Sequence, residues 1–259
     1  MLQVSSQRLK NRIALVTGGG SGIGRAAAIA YAREGAEVAV SGRRATEIEE
    51  TARLITLEGG SAFAVPADLS VAEEVRRVVE AVVERFGRLD IAFNNAGVEG
   101  RFAPITELTE ADLDHVLSVN LKGVWLSIKY EVEAMLAQGN GGVIVNTSSF
   151  LAKGAVAGSS AYSASKGALE AMIRAVAIEC GPKGIRINNV LPGAIDTPMF
   201  GRLGGDAVRS ALGAYTPLGR VGQPADVGDV AVWLSTDEAR FVTGQSLLVD
   251  GGLTIPGMR

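Results

Sequence analysis

The chain has 259 residues, of which 47% are apolar and 20% are charged, and its formal net charge is −3. This composition is typical of a folded globular protein and excludes a disordered chain. Single α/β domains often reach about 250 residues, so we expect one domain over residues 1–259. The small negative charge gives no general attraction to nucleic acid or to an anionic membrane, and neither is expected as a partner.

Cys180 is the only cysteine of the sequence and His115 the only histidine. An intrachain disulfide and a paired-cysteine or multi-histidine metal site are therefore excluded, and no metal is expected. The first twelve residues lack the apolar core of a signal peptide, and no apolar run reaches membrane-spanning length. These two features predict a cytoplasmic protein.

The first predicted strand, residues 12–17, runs directly into the turn G-G-G-S-G-I-G and then into a helix. Strand, glycine-rich turn and helix in this order are the context of a dinucleotide phosphate site. Gly18, Gly22 and Gly24 lack side chains where the backbone must turn tightly and a pyrophosphate must approach. The amino terminus of the helix offers N–H groups to that anion. The alternative is an ordinary glycine turn between a strand and a helix.

The second predicted strand, residues 37–41, leads into the segment S-G-R-R. In dinucleotide-binding folds an acidic residue at this point binds the adenosine ribose, whereas an arginine suits a 2′-phosphate. Here Gly42 is followed by Arg43 and Arg44, so the segment favours NADP(H), with NAD(H) as the alternative. Either arginine could instead be a solvated charge at the start of the next helix.

The third and fourth predicted strands end at the same expected crevice. Asp68 ends the third strand and could accept a hydrogen bond from adenine, cap the following helix, or do both. The fourth strand, L-D-I-A-F, ends at N-N-A-G, residues 94–97. Small and turn-forming residues there suit a backbone packed against a cofactor.

Residues 112–138 are predicted to form one or two helices, and they contain Asn120 in the segment V-N-L-K-G. An asparagine inside an apolar helical run disfavours the helix and usually needs a hydrogen-bond partner. Asn120 could therefore mark a structural kink in the helix, or it could hold the water of a polar relay.

A fifth predicted strand, residues 141–146, leads to Ser149, and a long helix-forming segment carries Tyr162 and Lys166. A helix places side chains four residues apart on one face, with the ammonium near the phenol. A positive charge there would lower the tyrosine pKa from about 10, so the pair could exchange protons near neutral pH. Taken alone, Y-x-x-x-K is also common on structural helices.

The sixth predicted strand, G-I-R-I-N-N-V, is followed by L-P-G-A-I-D-T-P-M. Pro192 and Gly193 fix a turn at its carboxyl end, which places Ile195 and Thr197 at the crevice. Residues of about 197–215 are glycine-rich and weakly patterned, and we expect them to form a mobile loop over the substrate.

A last helix, residues 224–235, and a last strand, residues 246–249, bring the predicted strands to seven. Over nearly its full length the chain resembles the short-chain dehydrogenase/reductase family. This resemblance is carried by T-G-G-G-S-G-I-G at 17–24, N-N-A-G at 94–97, Asn120, Ser149, Y-S-A-S-K at 162–166 and P-G at 192–193. The fold that it implies is α/β, a single-domain doubly wound Rossmann fold with helices flanking a seven-stranded parallel sheet.

By this resemblance Asn120, Ser149, Tyr162 and Lys166 form a catalytic tetrad. Ser149 would hydrogen-bond the substrate oxygen, and Tyr162 would pass a proton to or from it. Lys166 would lower the tyrosine pKa and hold the nicotinamide ribose, while Asn120 would anchor the water of a proton relay. The family serine lies thirteen residues before the tyrosine, which selects Ser149 over the adjacent Ser148.

The resemblance also implies a nicotinamide cofactor that exchanges a hydride with a carbinol carbon. Its expected contacts are Thr17, Gly18, Ser21, Gly22, Ile23, Gly24, Arg43, Arg44, Asp68, Leu69, Asn95, Ala96, Gly97, Tyr162, Lys166, Pro192, Gly193, Ile195 and Thr197. The expected substrate contacts are Ser149, Leu151, Tyr162 and Met199, in a largely apolar pocket that also includes Phe102, Phe150, Val156, Phe200 and Leu203.

Segments such as A-F-N-N-A, N-T-S-S and V-D-G-G resemble bacterial dehydrogenases of cyclic alcohols and dihydrodiols, glucose dehydrogenases and oxoacyl-carrier-protein reductases. The apolar pocket predicts an alicyclic or aromatic-ring alcohol or ketone in preference to a sugar, although Lys153 could contact an acidic substrate if it points inward. The segment S-G-R-R differs from the corresponding segment of the NAD-dependent dehydrogenases of cyclic alcohols and dihydrodiols.

Two alternatives belong to other classes. A non-catalytic dinucleotide-binding sensor would share the fold, but it has no need of Ser149 and Tyr162 together. A lyase or dehalogenase on this scaffold would lose the glycine-rich phosphate turn, which is complete here. The resemblance further implies a homotetramer, in which the helices of Asn120 and Tyr162 form one interface and the carboxyl-terminal strand and tail a second.

Overall fold

The computed structural model describes residues 7–255, with the side chains of residues 203 and 204 outside that description. Its strands are β1 (Ile13–Thr17), β2 (Glu37–Gly42), β3 (Ala62–Pro66), β4 (Ile91–Asn94), β5 (Gly142–Thr147), β6 (Ile185–Pro192) and β7 (Ser246–Val249). They form one sheet in the order β3-β2-β1-β4-β5-β6-β7, and every pairing in it is parallel. The predicted seven-stranded α/β fold is confirmed.

Helices cover both faces of this sheet. They are α1 (Gly22–Arg33), α2 (Ala45–Leu57), α3 (Ala72–Phe86), α4 (Glu110–Leu117), α5 (Val124–Gln138), α6 (Ser160–Cys180), α7 (Pro198–Tyr215) and α8 (Pro224–Ser235). Helices α3, α5 and α6 share one apolar core with the sheet, and α1, α2 and α8 share the other.

The two cores explain why most of the strands contain apolar runs. Along β1, Ile13 and Leu15 face the first core, whereas Ala14 and Val16 face the second. Successive side chains of a strand point to opposite faces, so a strand covered by helices on both sides needs apolar residues at every position. The predicted last helix, residues 224–235, and last strand, residues 246–249, have the bounds of α8 and β7.

The third strand is shorter than predicted, because β3 ends at Pro66 and not at Asp68. Oδ1 of Asp68 accepts hydrogen bonds from the N–H and the hydroxyl of Ser70, at 2.9 and 2.7 Å. This local turn directs the chain away from the sheet. The same contact uses the carboxylate that could have capped α3, whose N-cap residue is Val71.

Residues 197–215 are not the predicted loop, because Pro198–Tyr215 form the helix α7. The Oγ1 atom of Thr197 accepts a hydrogen bond from the N–H of Phe200 at 3.2 Å, and Pro198 occupies the first turn, where it needs no donor. Ion pairs to the rest of the protein hold the helix, including one between Arg209 and Asp196 at 2.7 Å. The cap and these ion pairs stabilise the helix against the weak helical propensity of its glycines.

A row of buried polar side chains crosses the sheet beneath α5. Asn94, Asn146 and Asn189 are register partners on β4, β5 and β6, and amide hydrogen bonds of 3.1 Å join each to the next. The row ends at Ser246 on β7, whose hydroxyl accepts from Asn189 at 3.3 Å. At the other end, Asn94 donates to Oε2 of the buried Glu131 at 2.9 Å.

Burial raises the pKa of Glu131 to about 8, so the carboxyl group is mostly protonated at neutral pH. Oδ1 of Asn94 and Oε1 of Glu131 are buried and have no hydrogen-bond partner among the described residues. A proton on Glu131 supplies the donor that an ionised carboxylate lacks, and the acid can then pair with the amide as both donor and acceptor. We infer that Glu131 is neutral in the folded protein.

We expect the free energy of unfolding to fall as the pH rises from about 4.5 to about 8. The folded state keeps the proton of Glu131 over this range, whereas the unfolded state releases it, so stability present at lower pH is lost. Glu131→Gln preserves both hydrogen bonds without an ionisable group, and it should be more stable than the wild type at about pH 8. Urea unfolding at several pH values measures this difference.

Glu133→Gln is the matched control, because Glu133 lies on the same helix with an exposed side chain that pairs with Lys129 at 3.8 Å. Its pH dependence should follow that of the wild type. Equal pH dependence for Glu131→Gln and the wild type would show that Glu131 is ionised in the folded state.

Candidate active site

The segments predicted to bind cofactor and substrate all follow the carboxyl ends of strands. The phosphate turn follows β1, Arg43 follows β2, N-N-A-G lies at the end of β4 and Ser149 follows β5. From β1 the chain adds β2 and β3 on one side of the sheet, and it then returns to add β4 on the other side of β1. Such a switch point between β1 and β4 opens a crevice at the carboxyl edge of the sheet. The structure therefore brings these predicted residues to one edge of the sheet.

The phosphate turn has no room for side chains. Gly18 has a φ of +65°, and a Cβ atom on it would lie 2.8 Å from Cα of Ala96. A Cβ on Gly24 would collide with the carbonyl oxygen of Gly18. The N–H of Asn95 donates to Oγ1 of Thr17 at 3.1 Å, which ties the N-N-A-G segment to this turn.

The first turn of α1 fits a bound phosphate group. Ser21 is the N-cap residue, yet its side chain makes no capping hydrogen bond. The turn lies close to the start of α7, because a Cβ on Gly22 would be 3.1 Å from Cγ2 of Thr197. The helix amino terminus, the glycine backbone and the absence of a capping side chain together suit the pyrophosphate of a dinucleotide.

At the expected adenine end, the two arginines have different partners. Nη1 of Arg43 lies 4.0 Å from Oδ2 of Asp68, and Nη2 of Arg44 lies 2.6 Å from Oε2 of Glu47. Both arginine side chains are more than half exposed. The side chain of Leu69 is buried in the core beneath α3 and α5, so a cofactor contact there can come only from its backbone.

Asn120 lies in a π-helical segment, Ser118–Gly123, that joins α4 to α5. Its side chain is completely buried. Its amide oxygen accepts a hydrogen bond from the N–H of Val98 and its amide nitrogen donates to the carbonyl of Val98, each at 2.8 Å. The amide nitrogen also donates to Oγ of Ser165 at 3.2 Å. The regular α-helix is therefore interrupted at Asn120, and the side chain fixes the loop after β4 against α6.

Ser149, Tyr162 and Lys166 meet at the carboxyl end of β5. Oγ of Ser149 accepts the N–H of Leu151 at 3.2 Å and is also within hydrogen-bonding reach of the Tyr162 side chain. Nζ of Lys166 donates to the carbonyl of Thr147 at 2.7 Å and lies 5.9 Å from the centre of the Tyr162 ring. The predicted shared face of the helix is thus observed.

The predicted effect of Lys166 on the tyrosine is not observed. Burial raises the pKa of Tyr162, the hydrogen bond with Ser149 acts in the opposite direction, and the charge of Glu99 raises it further. Burial also lowers the pKa of Lys166 to about 8. The ammonium is directed at the Thr147 carbonyl, so removal of the phenol from water outweighs it.

The structure places the predicted substrate residues in different environments. The ring of Phe102 packs edge-on against Tyr162 with the ring centres 6.1 Å apart, and Leu151 is buried beside Ser149. Met199 and Phe200 lie in the first turn of α7. Val156 is more than half exposed, and the side chain of Leu203 lies outside the described residues.

Lys153 points away from this pocket, because its Nζ donates to the carbonyl of Ser246 on β7 at 3.4 Å. On the other side of the crevice, the N–H of Gly193 after β6 donates to the carbonyl of Val249 on β7 at 3.1 Å. Ile195 is buried, and its carbonyl accepts a hydrogen bond from Oγ1 of Thr197 at 3.3 Å. These contacts place Thr197 between β6 and the phosphate turn.

Sequence reasoning missed an ion pair at this site. Nε and Nη2 of Arg202 on α7 bond Oε1 and Oε2 of Glu99, at 2.6 and 3.0 Å. Glu99 stands two residues after the predicted cofactor segment N-N-A-G, and that position could have marked it as a site residue. Its partner is 103 residues away, however, in a segment predicted as a mobile loop.

Comparisons with known proteins agree with this geometry. A family model described as "Enoyl-(Acyl carrier protein) reductase" matches residues 18–254. A crystal structure of a short-chain type dehydrogenase/reductase from Mycobacterium marinum superimposes with a TM-score of 0.91 at 32% identity, covering 97% of this chain and 99% of that one. The chain belongs to the short-chain dehydrogenase/reductase family.

Two curated relatives show the range of this family. Cyclohexanol dehydrogenase of Acinetobacter sp. (strain SE19) is 39% identical over 254 residues, which cover 98% of this chain and 99% of that protein. The 3-oxoacyl-[acyl-carrier-protein] reductase of Thermotoga maritima is 38% identical over 250 residues, which cover 96% and 100%. The protein is an oxidoreductase that acts on CH–OH or carbonyl groups with a nicotinamide dinucleotide.

Among the described residues, no helix has both the length and the apolar character needed to cross a membrane. Within residues 7–255 the structure also shows no cluster of three histidine, cysteine or acidic side chains suited to a metal ion.

Proposed function

We propose that the protein transfers a hydride between NADP(H) and a secondary alcohol or ketone carried on an alicyclic or aromatic ring. The observation that carries this proposal is the meeting of Ser149, Tyr162 and Lys166 beside the ring of Phe102. When bound, the nicotinamide supplies or accepts the hydride. The residues of this chain bind the substrate oxygen, orient it and move its proton.

In this proposal Tyr162 is the general acid and base. Its hydroxyl gives a proton to the carbonyl oxygen during reduction and takes the proton of the alcohol during oxidation. The hydroxyl of Ser149 donates a hydrogen bond to the same oxygen and fixes its position. Lys166, buried and bound to Thr147, holds a positive charge near the phenol and would bond the ribose of the nicotinamide half.

The cofactor would extend along the carboxyl edge of the sheet. The glycine turn would hold the pyrophosphate, and the residues from Pro192 to Thr197 would hold the carboxamide of the nicotinamide. Arg43 is the better candidate for a 2′-phosphate, because Arg44 already bonds Glu47 at close range, while Arg43 is 4.0 Å from Asp68. An arginine with an exposed side chain at this end favours NADP(H), and NAD(H) is the alternative.

The substrate class rests on the apolar walls of the site. Phe102 packs on Tyr162, Leu151 is buried next to Ser149, and Met199 lies on α7. Lys153 does not reach this pocket, which disfavours selection of an acidic substrate by that residue. The similarity to cyclohexanol dehydrogenase supports a cyclic alcohol or ketone, and the similarity to an oxoacyl-carrier-protein reductase supports the main alternative.

Replacement of Tyr162 with Phe tests the proposed mechanism. We expect it to lower kcat for cyclohexanol oxidation and cyclohexanone reduction by about 10²- to 10⁴-fold, the usual contribution of a general acid or base. Cofactor affinity should stay the same, because Lys166 and the phosphate turn are unchanged. Steady-state kinetics and a dinucleotide fluorescence titration measure the two effects.

Tyr130→Phe, a change on α5 outside the site, is the control and should keep full activity. An active Tyr162→Phe enzyme would contradict the mechanism. A wild-type protein that binds the cofactor tightly yet reduces no ketone would favour the non-catalytic sensor.

The cofactor preference is tested by titrating NADPH and NADH side by side. We expect NADPH to bind more tightly, and Arg43→Ala to lose about 10-fold or more in NADPH affinity, since charge-assisted bonds to a phosphate contribute about 1.5–3 kcal/mol each. NADH affinity should change little. Arg53→Ala, an exposed arginine of α2 paired with Glu50, is the matched control. Equal affinity for both cofactors in the wild type would show that Arg43 is only a surface charge.

A homotetramer is the proposed assembly. Large apolar side chains are exposed on the helices that the family resemblance assigns to one interface: Trp125 on α5 is 52% exposed, and Ile178 on α6 is 79% exposed. Leu248 on β7 and Phe241 in the preceding loop are also exposed. Exposed apolar surface of this kind marks protein interfaces when the side chains lie together, which the proposed assembly requires.

We therefore expect light scattering to give the mass of a tetramer for the wild type. Ile178→Glu should dissociate it, because the interface would have to bury a carboxylate without a partner. Leu57→Glu places the same charge on an exposed apolar position of α2 and should leave the assembly intact. A monomeric wild type would contradict the proposal.

A further inference from the structure

The loop that follows β4 forms one wall of the reaction site. Val98 is bound at both its N–H and its carbonyl by the side chain of Asn120, and Phe102 packs on the ring of Tyr162. Glu99 lies between these two anchored residues. The loop therefore holds Glu99 in the wall that packs on Tyr162, and the Glu99 side chain is only 19% exposed.

Arg202 of α7 reaches across to this wall. Its guanidinium bonds both carboxylate oxygens of Glu99, in the paired geometry that gives such contacts their strength and direction. The Arg202 side chain itself is 57% exposed. Because α7 begins beside the phosphate turn, where Thr197 lies near Gly22, this ion pair connects the two sides of the crevice.

The ion pair acts on one half of α7. Gly205 has a φ of +60°, which interrupts regular helical geometry between Arg202 and Arg209. The half after Gly205 is held separately by the bond of Arg209 to Asp196. The half before Gly205 carries Arg202 and the expected substrate contact Met199, so the ion pair with Glu99 holds the half that contains this contact.

We propose that Glu99 and Arg202 are positioning residues, whose ion pair holds the first half of α7 over the reaction site and gives a counterion to the carboxylate in the wall that packs on Tyr162. This inference rests on the proposed function, because it assigns the helix to the cover of that site. It adds a coupling between the closure of the helix and the ease with which Tyr162 loses its proton. Closure of the helix removes an unpaired negative charge from the surroundings of the phenol.

The direction of the coupling follows from the charges around Tyr162. These are Lys166 on its own helix, Glu99 on the wall and Arg202 on α7, and even within the ion pair the charge of Glu99 raises the pKa of Tyr162. When the ion pair breaks, Glu99 keeps its charge and loses its partner, so the phenol holds its proton more tightly. When the pair forms, deprotonation of Tyr162 becomes easier.

The test compares the wild type with Arg202→Gln, Glu99→Gln and the double variant. Tyr162 is titrated by ultraviolet difference spectroscopy, with the same protein carrying Tyr162→Phe as the blank. We expect Arg202→Gln to raise the titration midpoint by about half a pH unit or more, and Glu99→Gln to lower it. The double variant should match Glu99→Gln, because without the carboxylate the arginine has no charge to neutralise.

Arg209→Gln is the matched control, because it breaks the other ion pair of α7 and leaves Glu99 paired. Its titration midpoint should equal that of the wild type. Hydrogen exchange reports the closure directly: Arg202→Gln and Glu99→Gln should speed exchange over residues 198–204, and Arg209→Gln should speed it after Gly205. Equal thermal melting of the variants shows that they remain folded.

The outcomes separate this inference from the proposed function. In alcohol oxidation, the acid limb of the pH–rate profile should move in the same direction as the phenol midpoint of each variant. If the midpoints and exchange rates respond but no alcohol or ketone reacts, the ion pair has the proposed role and the proposed reaction is wrong. If Arg202→Gln leaves both unchanged, or changes them no more than Arg209→Gln does, the inference is overturned.

Discussion

Thr17, Asn94 and Asn146 are register partners on the adjacent strands β1, β4 and β5, and the chain leaves the sheet just after each of them. This shared level places the phosphate turn, the N-N-A-G segment and the approach to Ser149 side by side. A slip of one residue in either pairing would turn the apolar side chains of that strand to the opposite face. The two packed cores prevent such a slip, and so they also set the geometry of the site.

Burial decides the charge state of that site. It raises the pKa of Tyr162 and lowers the pKa of Lys166 to about 8, so for both groups it disfavours the charged form. A protonated phenol is the form that reduction of a ketone requires, whereas alcohol oxidation requires the phenolate. In the proposed function, each charge that enters or leaves the crevice therefore changes the balance between ketone reduction and alcohol oxidation. The Glu99 carboxylate is such a charge, and α7 brings its counterion.

The strands could be predicted from the sequence because most of them contain a short apolar run, as a sheet covered on both faces requires. Tyr162 and Lys166 were placed on one face because helical spacing fixes that geometry. Their pKa values could not be predicted in the same way, since these depend on how far the fold removes each group from water. The end of the third strand was predicted two residues too late, because the hydrogen bond between Asp68 and Ser70 belongs to a turn that the apolar pattern does not reveal.

Helix α7 was mistaken for a loop because it contains four glycines, and its stability has to be judged from several opposing contributions. Each glycine in a helix interior costs about 1 kcal/mol relative to alanine. An exposed ion pair returns about 0–1 kcal/mol, so the pairs of Arg202 and Arg209 cannot by themselves offset four glycines. The helix has in addition the cap at Thr197, whose hydroxyl accepts a hydrogen bond from the N–H of Phe200. Such a helix can open at a low free-energy cost, which suits a segment that a substrate has to displace on its way to Tyr162.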